Sequence, residues 1–219
     1  MSLKQTLLAT TAIFLSAANA HFELLRPPPL EGDSMNDDLQ ANAPCGGGVA
    51  DLSQDIASDF HVDGDAVAVF LGHAQATWLI RATLDSSAEG NWTQLFPIVT
   101  QSGRGEFCEP AVVAPREWVG RKGIISTVCK APDGLLYQCA AVNFVSGSNT
   151  SLDPDSCRNS SAMSISLDND PTLASMVDNP TNNDNPPPDD SAASALTSGL
   201  SIGGLSVMAF VLLGGAVLL

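Results

Sequence analysis

The chain has 219 residues, 24 acidic against 9 Lys and Arg, and a formal net charge of −15. Such acidity repels nucleic acid and anionic head groups, so neither is an expected partner. The length allows one domain plus a stalk.

Residues 1–20 carry one positive charge, Lys4, then an apolar run from Leu7 to Leu15, then Ala18 and Ala20. Small residues at the third and first positions before a cut complete a secretory signal peptide. The run is shorter than the ~20 residues a membrane span needs. An uncleaved anchor is the alternative. Cleavage after Ala20 makes His21 the first residue of the mature chain.

From Arg26 to Pro44 the chain is rich in Pro, Asp and Asn and reads as a long loop. It ends at Pro44-Cys45-Gly46-Gly47-Gly48, a tight turn pinned by a disulfide. The runs GDAVAVFLG and ATWLIRATL predict two strands within 65–84, parted by a turn at Gly72-His73-Ala74-Gln75. Further strands are expected over 94–100, 123–129 and 135–145, with a turn at Ala131-Pro132-Asp133-Gly134 between the last two. No stretch sustains helical periodicity. The expected fold class is all-β, a sandwich rather than a barrel.

After residue 165 the sequence turns to Pro, Asn and Asp with few apolar residues, which predicts a disordered acidic stalk over 166–191. The run SAASALTSG and an apolar end from Leu200 to Leu219 follow. Small residues, a spacer and an apolar tail form a signal for a GPI lipid. Ser191 is the preferred attachment residue, with Ala192, Ala193 and Ser194 as alternatives. A C-terminal transmembrane helix is the second reading. The expected organisation is a signal at 1–20, a folded head at 21–165, a stalk at 166–191 and a removed tail at 192–219. The expected location is the outer face of the plasma membrane, with the cell wall as an alternative.

Five cysteines, Cys45, Cys108, Cys129, Cys139 and Cys157, include no C-x-x-C pair. In an oxidising compartment they form disulfides and leave one thiol over. Cys129, in the apolar run KGIISTVC, is the candidate for the buried unpaired one. Three sequons, at Asn91, Asn149 and Asn159, predict glycosylation.

The histidines are His21, His61 and His73, and neither G-x-S-x-G nor H-E-x-x-H occurs between residues 21 and 191. Many carboxylates lie in the early loop and the stalk, where a rigid glycosidase pair is not expected. An N-terminal histidine, by contrast, offers a main-chain amine and a ring nitrogen together. A second histidine completes a T of three nitrogens, a histidine brace, which suits Cu(II). His73, at a turn beside a strand, is the better partner, although a plain turn residue is also consistent with its spacing. His61 lies near Asp59, Asp63 and Asp65 and reads as a surface histidine paired with a carboxylate. Copper must displace protons from its nitrogen ligands, so affinity is expected to fall with pH.

The segments HFELLRPPP, PCGGG, VAVFLGHAQATWLI, GEFC and DGLLYQCAAVNF, in this order and spacing, resemble the fungal LPMO-like copper proteins, which include the Bim-type copper acquisition factors. The resemblance covers most of residues 21–157. It implies an immunoglobulin-like sandwich similar to lytic polysaccharide monooxygenases. It also implies one copper ion held by His21 and His73, and copper handling at the cell surface without polysaccharide cleavage. A membrane copper transporter is then the implied protein partner. It further implies disulfides Cys45–Cys157 and Cys108–Cys139. Two positions depart from the pattern: Ala141 replaces an aspartate ligand, and Glu31 replaces an arginine. Water, Glu31, Asp33 or Glu106 then stand as candidates for the remaining ligand.

Three readings follow. The first is a GPI-anchored copper-binding surface protein that does no turnover. The second is a copper-dependent polysaccharide monooxygenase. Aromatic residues form only 5% of the chain and Tyr137 is its one tyrosine, so a flat sugar-binding face is hard to assemble. The third is a metal-free wall glycoprotein.

Overall fold

Runs of β-branched and apolar residues build two sheets that pack face to face. The computed structural model describes residues 21–30, 37–48, 52, 57–153 and 156–179. The expected signal peptide, Glu31, Asp33, the expected stalk beyond Asn179, Ser191 and the expected tail lie outside the described residues.

The strands are β1 (Phe22–Arg26), β2 (Ser58–His61), β3 (Asp65–Leu71), β4 (Gln75–Thr83), β5 (Thr93–Gln94), β6 (Val99–Ser102), β7 (Gly105–Val112), β8 (Lys122–Ala131), β9 (Gly134–Val145) and β10 (Ser164–Leu167). Among the described residues one α-helical turn, α1, spans Pro171–Ala174. The small sheet runs β1-β3-β7 and the large one β10-β6-β4-β8-β9-β2, with β5 on β4. Every pair is antiparallel except β2 with β9. The fold is the expected all-β sandwich. The expected strand over 94–100 is broken, because Pro97 has no N–H to give a ladder.

Strand alternation sorts the side chains. Phe22, Leu24, Val69 and Leu71 of the small sheet meet Trp78, Ile80, Cys129 and Ala140 of the large one in a single core. Trp78 takes the edge of Phe22 at 5.3 Å and donates Nε1–H to Gln101 Oε1 at 3.0 Å. Cys129 is free and buried, as expected, and burial pushes its thiol well above the ordinary range.

Two expectations are corrected. The disulfides are Cys45–Cys139 and Cys108–Cys157, not Cys45–Cys157 and Cys108–Cys139. Cys108 packs with Ala66 and Ala68 on the outward face of the small sheet, whereas Cys139 lies on the outward face of the large one. Facing sheets lie about 10 Å apart, too far for two outward-facing cysteines to join. Each instead takes the loop that crosses its own face.

The second correction concerns the start of the stalk. The folded part continues past residue 165 to Asn179. β10 adds an edge strand on β6, and Asp170 caps α1 by accepting from the N–H groups of Thr172 and Leu173. Leu173 is fully buried against Leu79, Ile98, Val128 and Tyr137. One leucine contributes about 1.5–3 kcal/mol. Hydrogen bonds do the rest: Arg81 Nη1 donates to Met176 O at 2.7 Å, and Trp92 N–H to Asp178 Oδ2 at 2.9 Å. Burial pulls the Arg81 guanidinium down to about 10. A segment of low mean hydropathy folds here because an existing sheet supplies the surface.

Candidate metal centre

His21 enters the site through backbone pairing. Phe22 is in register with Leu71, and Gly72 donates its N–H to the His21 carbonyl at 3.0 Å. Residue 21 therefore lies against residue 72, next to His73 in chain. The loop of His73 is tied down in turn, because Gly103 donates to the Ala74 carbonyl at 2.8 Å. The side chain of His73 is 10% exposed. Its Nε2 lies 3.1 Å from Asp133 Oδ1, within ion-pair range but outside hydrogen-bond geometry. A buried ring nitrogen without a hydrogen bond, facing a carboxylate, is the donor chemistry a divalent cation needs.

In sequence Asp133 reads only as a turn residue. It reaches His73 because β4 begins, and the β8–β9 hairpin turns, at the same end of the large sheet: Thr77 pairs with Lys130, and Ala131 with Gly134. Ala141 lies far from that end. It pairs with Ile124, which pairs with Thr83, and faces outward. Six residues of strand separate Thr83 from Thr77, about 20 Å. Ala141 is therefore remote from His73. Glu106 stands opposite Phe70 on the outward face of the small sheet. Among the described residues no group of three or more His, Cys, Asp and Glu forms a ready-made metal cage. A brace would draw on two histidines and a main-chain amine, and the amine arises only on cutting before His21.

His61 behaves as the sequence predicts. Its Nδ1 lies 2.8 Å from Asp65 Oδ2. The sequons differ from one another: Asn91 and Asn159 are exposed, whereas Asn149 is half-buried and donates Nδ2–H to Asp65 Oδ1 at 2.8 Å.

Comparison with known proteins identifies the family. The family model described as copper acquisition factor BIM1-like matches residues 19–162. The chain belongs to the copper acquisition factor BIM1-like family. It is 29% identical over 179 residues to a lytic polysaccharide monooxygenase-like protein, X325, of Yarrowia lipolytica, covering 77% of this chain and 65% of that protein. It is 31% identical over 161 residues to an uncharacterised protein of Aspergillus fumigatus, covering 69% of this chain and 64% of the relative. The chain thus spans about 65% of the length of the curated relatives it matches. The family match ends at residue 162, before β10 and α1.

Proposed function

We propose that this protein binds one copper ion and passes it on at the outer cell surface, without cleaving polysaccharide. Copper is the cargo. Cleavage after Ala20 frees the His21 amine, and that amine, the His21 ring and His73 form the brace. Asp133 supplies a carboxylate beside His73. A GPI lipid at Ser191 holds the head at the plasma membrane, and a membrane copper transporter is the partner. Asn91 and Asn159 carry glycans.

The observation that carries this reading is the juxtaposition of residues 21, 73 and 133 at one end of the sandwich, in a chain of a copper acquisition family. The test is a Cu(II) titration of the secreted head with an authentic His21 N-terminus, beside the same head with one residue added before His21. Tight one-to-one binding that the added residue abolishes is expected. Equal binding by both heads would sink the brace.

Likeness to the lytic polysaccharide monooxygenase-like protein of Yarrowia lipolytica favours a second reading, a polysaccharide-oxidising enzyme. Against it, Trp78, Trp92, Trp118 and Tyr137 are all buried, leaving no flat aromatic face of Trp or Tyr among the described residues. Oxidised oligosaccharides formed in the presence of a reductant would establish the enzyme reading instead.

A further inference from the structure

β1 is an edge strand, with β3 on one side only. Edge strands expose backbone groups that a ladder would otherwise satisfy. On β1 two carboxamides meet those groups. Gln138, on β9 of the opposite sheet, accepts the Leu24 N–H on Oε1 at 2.5 Å and donates Nε2–H to the Phe22 carbonyl at 3.0 Å. Gln40 donates Nε2–H to the same carbonyl at 2.6 Å. A carboxamide carries both the donor and the acceptor of a peptide group. Gln138 therefore stands in for one residue of a strand that is not there.

Both side chains are buried, Gln138 at 3% and Gln40 at 1% exposure. Without them the buried Leu24 N–H and Phe22 carbonyl would lie unpaired, at about 1–3 kcal/mol each. Several elements seat the pair. Tyr137 N–H donates to the Gln40 carbonyl at 2.8 Å, and the Cys45–Cys139 disulfide pins the following turn beside it. Gly46, at φ +67°, passes so close to the Tyr137 carbonyl that a Cβ would strike it. The PCGGG motif thus lays the first loop along β9, where Gln40 and Gln138 converge on Phe22.

We infer that Gln138 and Gln40 are positioning residues for His21. They fix where the mature N-terminus emerges relative to His73. Chain termini are ordinarily the most mobile part of a fold. A metal constellation needs its ligands held to within about 0.5 Å. Pairing with β3 holds β1 along one edge only, and the carboxamides of Gln138, on the opposite sheet, and Gln40, in the first loop, hold its other edge. The inference rests on the copper reading, but it also predicts behaviour without metal.

The test uses the mature head with an authentic His21 start, as wild type, Gln138→Met and Gln40→Met. Methionine keeps the shape and removes the hydrogen bonds. In the metal-free heads, hydrogen exchange at the Leu24 amide and NMR order at residues 21–22 are measured. In the copper-loaded heads, the electron paramagnetic resonance spectrum and the Cu(II) affinity are measured. Exchange at Leu24 is expected to quicken in Gln138→Met, with order lost at His21 in both variants. The copper spectrum should split into more than one species, and affinity should fall on the order of 10–100-fold. Should Gln138→Met fail to fold, Gln40→Met still removes one of the two donors to Phe22 and decides the matter. A copper spectrum and affinity unchanged from wild type in both variants would overturn the inference. If the wild-type head takes no copper, the copper reading fails separately. The positioning claim is then decided by the metal-free data: loss of order at His21 supports it, and unchanged order refutes it.

Discussion

Two histidines of this fold each stand beside an aspartate, and the two pairs differ in how far the aspartate is already used. Asp65, beside His61, is 8% exposed and accepts four hydrogen bonds. They come from the His61 ring, the His61 and Ala66 backbone and the Asn149 side chain. Its oxygens have no capacity left for a metal. Asp133, beside His73, is 45% exposed and makes no hydrogen bond among the described residues. The first pair closes the crossing from β2 to β3. The second joins two loops that come together only through the sandwich. The lesson is that a His–Asp distance of about 3 Å does not by itself define a site. The remaining valence of the carboxylate does.

The sharpest way to break this comparison is to remove each histidine. His73→Ala is expected to lower copper affinity by more than ~100-fold, beyond what loss of an outer partner accounts for. His61→Ala should leave affinity unchanged. Isothermal titration of both variants checks this, and equal losses would erase the distinction. Removing the aspartates should have the opposite pattern. Asp65→Ala leaves buried donors without their acceptor and is expected to cost about 1–3 kcal/mol of stability. A drop in thermal midpoint of several degrees would register it, with copper binding retained. Asp133→Ala should leave the midpoint within a degree or two and weaken copper about tenfold, with a changed paramagnetic resonance spectrum. An unchanged spectrum would remove Asp133 from the ligand set.

Much of this was legible in the sequence. The strands that form the middle of the large sheet announce themselves as β-branched runs, and His73 falls at the turn its flanking glycine predicts. His61 with Asp65 is a local pair, four residues apart, and local pairs can be read. What was not legible depends on sheet order. Asp133 is 60 positions from His73, and nothing in the PDG turn says which loop it will face. The disulfide partners are set by which face each cysteine occupies, and faces are known only once the sheets are built. Gln138 did leave a trace. In LLYQCAAVNF the inward positions read Leu136, Gln138, Ala140, Val142 and Phe144, and one amide among apolar residues marks a bond to be made. Composition places the start of the expected stalk too early because it measures a segment alone. Residues 168–179 fold only against an outer face that the rest of the chain provides.

The smallest expected effect concerns acid, and it separates the two pairs by sign and by pH range. Burial by itself would raise the Asp65 carboxyl, but hydrogen bonds from Asn149, the His61 backbone and ring, and the Ala66 backbone hold it below the ordinary carboxylate range. A carboxyl lowered in the folded state contributes its stability above the ordinary value of ~3.9. That contribution is lost as pH falls through the lower folded value. As pH falls below about 4, the wild-type head should therefore lose more stability than Asp65→Asn, which has no proton to take up there. Thermal midpoints of the metal-free heads across this range measure the difference, and parallel slopes would refute it. Copper binding should weaken at higher pH than this. The metal must displace protons from an amine and from imidazoles, groups that hold their protons well above the carboxylate range. A head that sheds copper while its fold is still intact is the expected result. Release and unfolding at one common pH would mean that the fold, rather than the nitrogen ligands, governs the loss of metal.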